Sequence, residues 1–160
     1  MAGAATVCAC LLAAVFVWAA GAKLVAHRAT VLGFSSQGVP APAMAAVMVP
    51  VVELVVAVVL VAWPAVGGSL ALALLAAFTL VVIRAVVTGN RAGCACFGSH
   101  RVEPVSPADV VRNGLLAGFA AVATGTGRLV RPGAVSIGAV AAGVVVGGAV
   151  WRVAQRRLAQ

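Results

Sequence analysis

The stretch from Pro42 to Trp63 reads PAMAAVMVPVVELVVAVVLVAW. Glu53 is its one ionisable side chain. At roughly 1.5 Å of rise per residue, a helix of this length crosses the ~30 Å hydrocarbon core of a bilayer. Pro42 opens the run and Pro64 follows it, and at a helix start a missing N–H costs little. Pro50 lies inside and predicts a kink. The run shows no period-two alternation, which disfavours a barrel strand. In hydrocarbon a segment must satisfy its own backbone donors and acceptors, and the helix does that.

The same pattern extends in both directions. Ala5–Val25 forms a first apolar run and Ser69–Val87 a third, the latter ended by Thr88-Gly89-Asn90. A polar stretch over 88–109 follows, in which Pro107 and Asp109 predict the start of a helix. The fourth run, Val110–Thr126, is the shortest and begins with Arg112 and Asn113; the fifth, Pro132–Val153, carries Trp151 at headgroup level. The tail from Arg152 to Gln160 holds three arginines and is expected to be interfacial or frayed.

Of the 160 residues, 64% are hydrophobic and only 9% charged, and mean hydropathy is +1.17. Soluble domains carry about 25% charged residues, so this chain cannot clothe a soluble surface. The expectation is one all-α domain of five membrane helices. Gly114-x-x-x-Gly118 and Gly143-x-x-x-Gly147 have the spacing of close helix contacts, within the chain or in a homo-oligomer.

Net charge is +8, from 11 basic and 3 acidic residues. The basic residues are scattered at the ends of apolar runs, the pattern of topology anchors, which argues against nucleic-acid binding. The first run has no basic residue before it, as a signal peptide would, and is expected to stay as a membrane helix. With five spans, nine basic residues (Lys23, Arg28, Arg84, Arg91, Arg101, Arg112, Arg152, Arg156 and Arg157) fall on one side and only Arg128 and Arg131 on the other. The positive-inside rule then predicts an outer N-terminus, a cytoplasmic C-terminus and a cytoplasmic hinge between the third and fourth runs, in a prokaryotic inner or plasma membrane.

That hinge holds Gly93-Cys94-Ala95-Cys96-Phe97-Gly98. Flanking glycines give it freedom to bend, and Arg91 and Arg101 favour thiolate. A disulfide across one intervening residue is strained and easily reduced, which suits a carrier more than a staple. Two cysteines in a tight turn, or a metal site with Cys94, Cys96 and His100 as ligands, are the alternatives. Cys8 and Cys10 lie near the other end of the first helix, two positions apart and pointing apart, and read as small buried hydrophobes.

Glu53 is expensive in hydrocarbon unless protonated, paired or beside water. The second helix starts from the face that carries the thiol hinge and reaches Glu53 at a depth of roughly 16 Å. Lys23 and Arg84 lie near the same face and are candidate partners. Arg112 and Asn113 open the fourth run there, and Asn113 can donate to a carbonyl. A polar pocket of Glu53, Lys23, Arg84, Arg112 and Asn113, opening toward Cys94, would suit a quinone or a proton relay; a plain packing ion pair is the other reading. His27 titrates near neutral pH and is a further proton carrier.

Four pieces then form a pattern: Gly21-Ala-Lys23-Leu24, Pro50-Val-Val-Glu53-Leu54, Cys94-Ala-Cys96-Phe97-Gly98 and Arg112-Asn113. Together they resemble the methylamine utilisation protein MauE family, within the broader DoxX-like group, over about residues 5–126. The resemblance implies a four-helix bundle associated with redox processes, in which support of disulfide formation or of partner maturation is the expected role. It also implies that Cys94 and Cys96 are the thiol motif and Glu53 the intramembrane acid, with Lys23 and Arg112 beside it. The fifth run lies beyond that core as an added C-terminal helix.

The leading expectation is a thiol–disulfide oxidoreductase. Either Cys94 or Cys96 attacks a partner disulfide, and the other resolves the mixed disulfide. A non-enzymatic assembly factor or metal-binding scaffold is the second reading. A small transporter is the third, disfavoured because one buried acid and no inverted repeat are visible. No haem, flavin or nucleotide motif occurs, and a quinone is the one cofactor considered.

Overall fold

The computed structural model describes residues 2–89 and 107–125. The chain forms α1 (Ala2–Val25), α2 (His27–Ser36), α3 (Pro42–Ala62), α4 (Pro64–Val87) and α5 (Pro107–Thr124), with no strand among the described residues. Three of these are long and apolar enough to cross a membrane: α1 from Ala4, α3 and α4. The expected fifth span, residues 132–153, and the thiol hinge lie outside the described residues.

The surface is rich in exposed apolar side chains, while one lysine, one glutamate and one asparagine are buried. Val58 is 68% and Leu80 67% exposed, whereas Lys23, Glu53 and Asn113 are at most 2% exposed. In water that arrangement would expose a large apolar area at a cost of about 25 cal/mol per Å². In lipid it costs nothing, and the charged groups withdraw from hydrocarbon. The protein is therefore an integral membrane protein.

The four long helices make the bundle. One stripe of α1 (Ala9, Leu12, Ala13, Phe16) meets Val56, Ala57 and Leu60 of α3, Ala71 and Leu75 of α4, and Leu116, Ala120 and Ala123 of α5. Pro50 is buried within α3 and removes one N–H from the helix ladder.

α2 is absent from the sequence expectation, which leaves residues 26–41 as loop. It follows α1 after one irregular residue, Ala26, and closes in a Schellman motif. Val39 N–H donates to Phe34 O at 2.9 Å and Gly38 N–H to Ser35 O at 3.0 Å. Gly38 sits at φ +71°, a conformation that glycine adopts without penalty. α4 also begins earlier than expected, at Pro64 instead of Ser69, because Gly67 and Gly68 belong to the helix.

Those two glycines hold the bundle at the α3–α4 end. One residue, Trp63, separates α3 from α4, and a Cβ at Gly67 would overlap the Leu60 backbone. A Cβ at Gly68 would stand 2.8 Å from Ala120 O and 3.0 Å from Thr124 N. By contrast, Gly114 and Gly118 are exposed, and a Cβ there meets nothing within 4 Å, so their spacing makes no close contact within the described chain. Gly68→Ala is expected to cost about 1–3 kcal/mol by forcing α4 and α5 apart. Gly114→Ala is expected to be neutral or slightly stabilising through helix propensity. Chemical unfolding in detergent checks both, and equal losses at the two positions would contradict this packing.

Candidate functional site

The bundle buries three strongly polar side chains, Lys23 on α1, Glu53 on α3 and Asn113 on α5. Contacts of Gly67 with Leu60, and of Gly68 with Ala120 and Thr124, make α4 antiparallel to both α3 and α5. Lys23, near the end of α1, lies over the ring of Phe78 in the second half of α4. The same end of the bundle therefore carries the C-termini of α1 and α4 and the N-termini of α3 and α5. The connection from α4 to α5, which contains Cys94 and Cys96, leaves the described residues at that end.

Lys23 follows the buried stripe of α1 (Phe16, Ala19, Ala20, Lys23), so its side chain enters the bundle instead of reaching back to the surface. Glu53 continues the buried stripe of α3 (Ala46, Pro50, Glu53, Ala57). They meet with Nζ 2.6 Å from Oε1, both side chains 1% exposed. The Lys23 ammonium stands 5.4 Å from the Phe78 ring centroid, within cation–π range. The backbone carbonyl of Lys23 also accepts from the Thr30 hydroxyl, at 3.2 Å, which ties α2 to the site.

The pair leaves an atom over. Glu53 Oε2 is buried with no hydrogen-bond partner among the described residues, and Asn113 Oδ1 is in the same condition. Asn113 stands on the buried face of α5, one turn before Leu116. Its neighbour Arg112 is exposed and donates to Asp109 Oδ1 at 2.9 Å. A buried acceptor without a donor costs about 1–3 kcal/mol, so two of them in one small bundle need a reason.

The sequence-expected residues divide. The structure brings Lys23 and Glu53 into direct contact, whereas Arg112 is exposed and pairs with Asp109. Asn113 is buried on α5 at the same end of the bundle. Arg84 is exposed in the last turn of α4, so the cation that meets Glu53 is Lys23. His27 is exposed at the start of α2. Cys8 and Cys10 are free thiols on α1 and only half-buried, less than their apolar setting predicts. Cys94, Cys96 and His100 lie outside the described residues, and with them the thiol pair and the alternative metal site.

Sequence reasoning missed Phe78 and Thr30. A phenylalanine in an apolar run carries no distinguishing signal. Thr30 falls seven positions after Lys23, on the same helical face once α2 is seen to continue α1.

No curated protein and no solved structure matched the chain. The family of methylamine utilisation protein MauE matches residues 1–126, from the start of α1 past the end of α5. This span contains both the buried ion pair and the Cys94-Ala-Cys96 hinge, and the chain belongs to the MauE family.

Proposed function

We propose that this chain is a membrane thiol–disulfide redox protein that supports disulfide formation in a partner protein and is reset by a quinone. In the working direction, a partner thiolate attacks the Cys94–Cys96 disulfide and a mixed disulfide forms. A second partner thiolate then displaces it, leaving the partner oxidised and Cys94 and Cys96 as two thiols. In the reset, two electrons and two protons pass from those thiols to a quinone, giving back the disulfide and one hydroquinone.

The observation that carries this reading is the buried Lys23–Glu53 pair with unsatisfied acceptors on Glu53 and Asn113, at the bundle end where the thiol hinge joins α4 to α5. An ion pair kept only for packing would have its remaining lone pairs met by protein groups. Family membership adds a redox association. The excess of basic residues around the hinge supports a cytoplasmic face for it, from which the partner would be reached.

The test is a redox titration of the pair. In a chain with Cys8→Ala and Cys10→Ala, only Cys94 and Cys96 report. In vesicles equilibrated with dithiothreitol of graded potential, alkylation is expected to switch from none to two groups in one two-electron step. A pair that stays reduced at every potential, or that never reacts with the alkylating agent, would sink the proposal.

A further inference from the structure

α5 turns a line of small residues away from the bundle. Its buried side holds Asn113, Leu116, Ala120 and Ala123. At about 3.6 residues per turn, Gly114, Gly118, Ala121 and Gly125 fall on the opposite side, and all four are exposed. A Cβ at Gly114 or Gly118 meets nothing within 4 Å. Glycine in a helix interior costs about 1 kcal/mol relative to alanine. At Gly67 and Gly68 close backbone contact with α3 and α5 offsets that cost. At Gly114 and Gly118 nothing among the described residues does. Lipid gains little from the groove they leave, whereas a further membrane helix can fill it, because small residues let two backbones approach.

The chain supplies such a segment at the right distance. α5 ends at Thr124, and the apolar run 132–153 follows after a connection of about seven residues, within the usual two to eight between antiparallel neighbours. Pro132 suits the first turn of a helix. The run gives roughly 33 Å of helix, enough to cross the hydrocarbon core. A short connection also sets the register, since residues equally far from the turn face each other. Gly118 stands six positions before Thr124, and Gly138 stands six after Pro132. By the same step Gly114 meets Ala142.

We infer that the segment 132–153 crosses the membrane as a helix packed antiparallel on the Gly114–Gly118 face of α5, with Gly118 opposite Gly138. The occupant is this chain's own segment, because a tether this short gives it a far higher local concentration at α5 than a second copy has. Alanine belongs to the class of small residues, so the contact tolerates Gly114→Ala, whereas a large side chain at 114 does not fit. The packing returns Arg152, Arg156 and Arg157 to the bundle end where the Cys94-Ala-Cys96 connection leaves α4. It does not depend on the thiol reading.

The test uses the full chain in vesicles, with Cys8→Ala, Cys10→Ala, Cys94→Ser and Cys96→Ser, and with Gly118→Cys and Gly138→Cys added. Copper phenanthroline with oxygen oxidises the two added thiols to a disulfide if they meet. After solubilisation and unfolding, trypsin cuts at Arg128 or Arg131, between the two positions. The uncut product is expected at the mass of one chain, and its fragments are expected to stay joined until reductant is added. Adding Gly114→Leu is expected to lower the joined fraction several-fold, and adding Gly114→Ala to leave it unchanged. Val58→Cys with Gly138→Cys, which moves the first thiol to the exposed side of α3, is expected to give no link.

A product of twice the mass would put a second copy on this face, and no link in a chain that still melts cooperatively would leave lipid there. Either result overturns the inference. So does a link that Gly114→Leu leaves untouched, or one from position 58 as efficient as that from position 118.

Discussion

Changing Glu53 alone to leucine is expected to destabilise the protein by about 3–5 kcal/mol, the largest loss from any single substitution in the bundle. The reason is what it leaves behind. Lys23 is 1% exposed and meets the carboxylate at 2.6 Å, so leucine removes the charge that this buried ammonium contacts. Taking an ion out of water costs several kcal/mol, and only the partner charge offsets it. Removing both charges, as Lys23→Met with Glu53→Leu, is expected to restore most of the loss or exceed the original stability. Buried pairs replaced by apolar groups of similar volume are often neutral or better. Unfolding in mixed micelles gives all three values. If the double variant is no more stable than Glu53→Leu, the pair is not an isolated buried couple and another group shares its charge.

The largest expected loss of activity comes from Cys94 and Cys96. Cys94→Ser with Cys96→Ser is expected to abolish partner oxidation completely, because a serine hydroxyl of similar size cannot form a disulfide. Each single serine variant keeps one nucleophile and loses the resolving thiol. One of the two is therefore expected to accumulate a partner joined by a mixed disulfide, visible as a reducible band of higher mass. A double variant that still supports partner maturation would instead favour an assembly factor whose cysteines only shape a turn.

Sequence and structure agree most closely where the physics is coarse. Continuous apolar length is enough to place α1 and α3, whose expected bounds 5–25 and 42–63 compare with Ala2–Val25 and Pro42–Ala62. A lone carboxyl in such a run must find a partner, and Lys23 is one of the candidates that this logic offers. The logic cannot choose Lys23 over Arg84. Lipid is as apolar as a helix interface, so α4 is apolar all round and its sequence does not mark the buried face. The structure supplies that face, through Gly68, Ala71, Leu75, Val82 and Ala85, and Arg84 falls beside it and outward.

Glycine misleads for a related reason. In soluble helices Gly67-Gly68 would read as a break, but between membrane helices small residues let backbones approach. The more conspicuous Gly114-x-x-x-Gly118 spacing faces outward. α2 escapes because it is short and of mixed polarity, and its clearest mark is the single Gly38 that ends it. The unsatisfied acceptors of Glu53 and Asn113 could not be read at all from sequence, since hydrogen-bond satisfaction is a property of packing.

The coupling of the buried Lys23–Glu53 pair to the thiol pair is tested most directly by anaerobic oxidation of Cys94 and Cys96 in vesicles, followed by alkylation and mass measurement. The pre-reduced protein is given a decyl-substituted benzoquinone, once as the natural chain and once with Lys23→Met and Glu53→Leu. The natural chain should form the Cys94–Cys96 disulfide with release of one hydroquinone per pair, while the folded double variant should remain two thiols. Oxidation at the same rate in both, or in neither, would contradict the coupling.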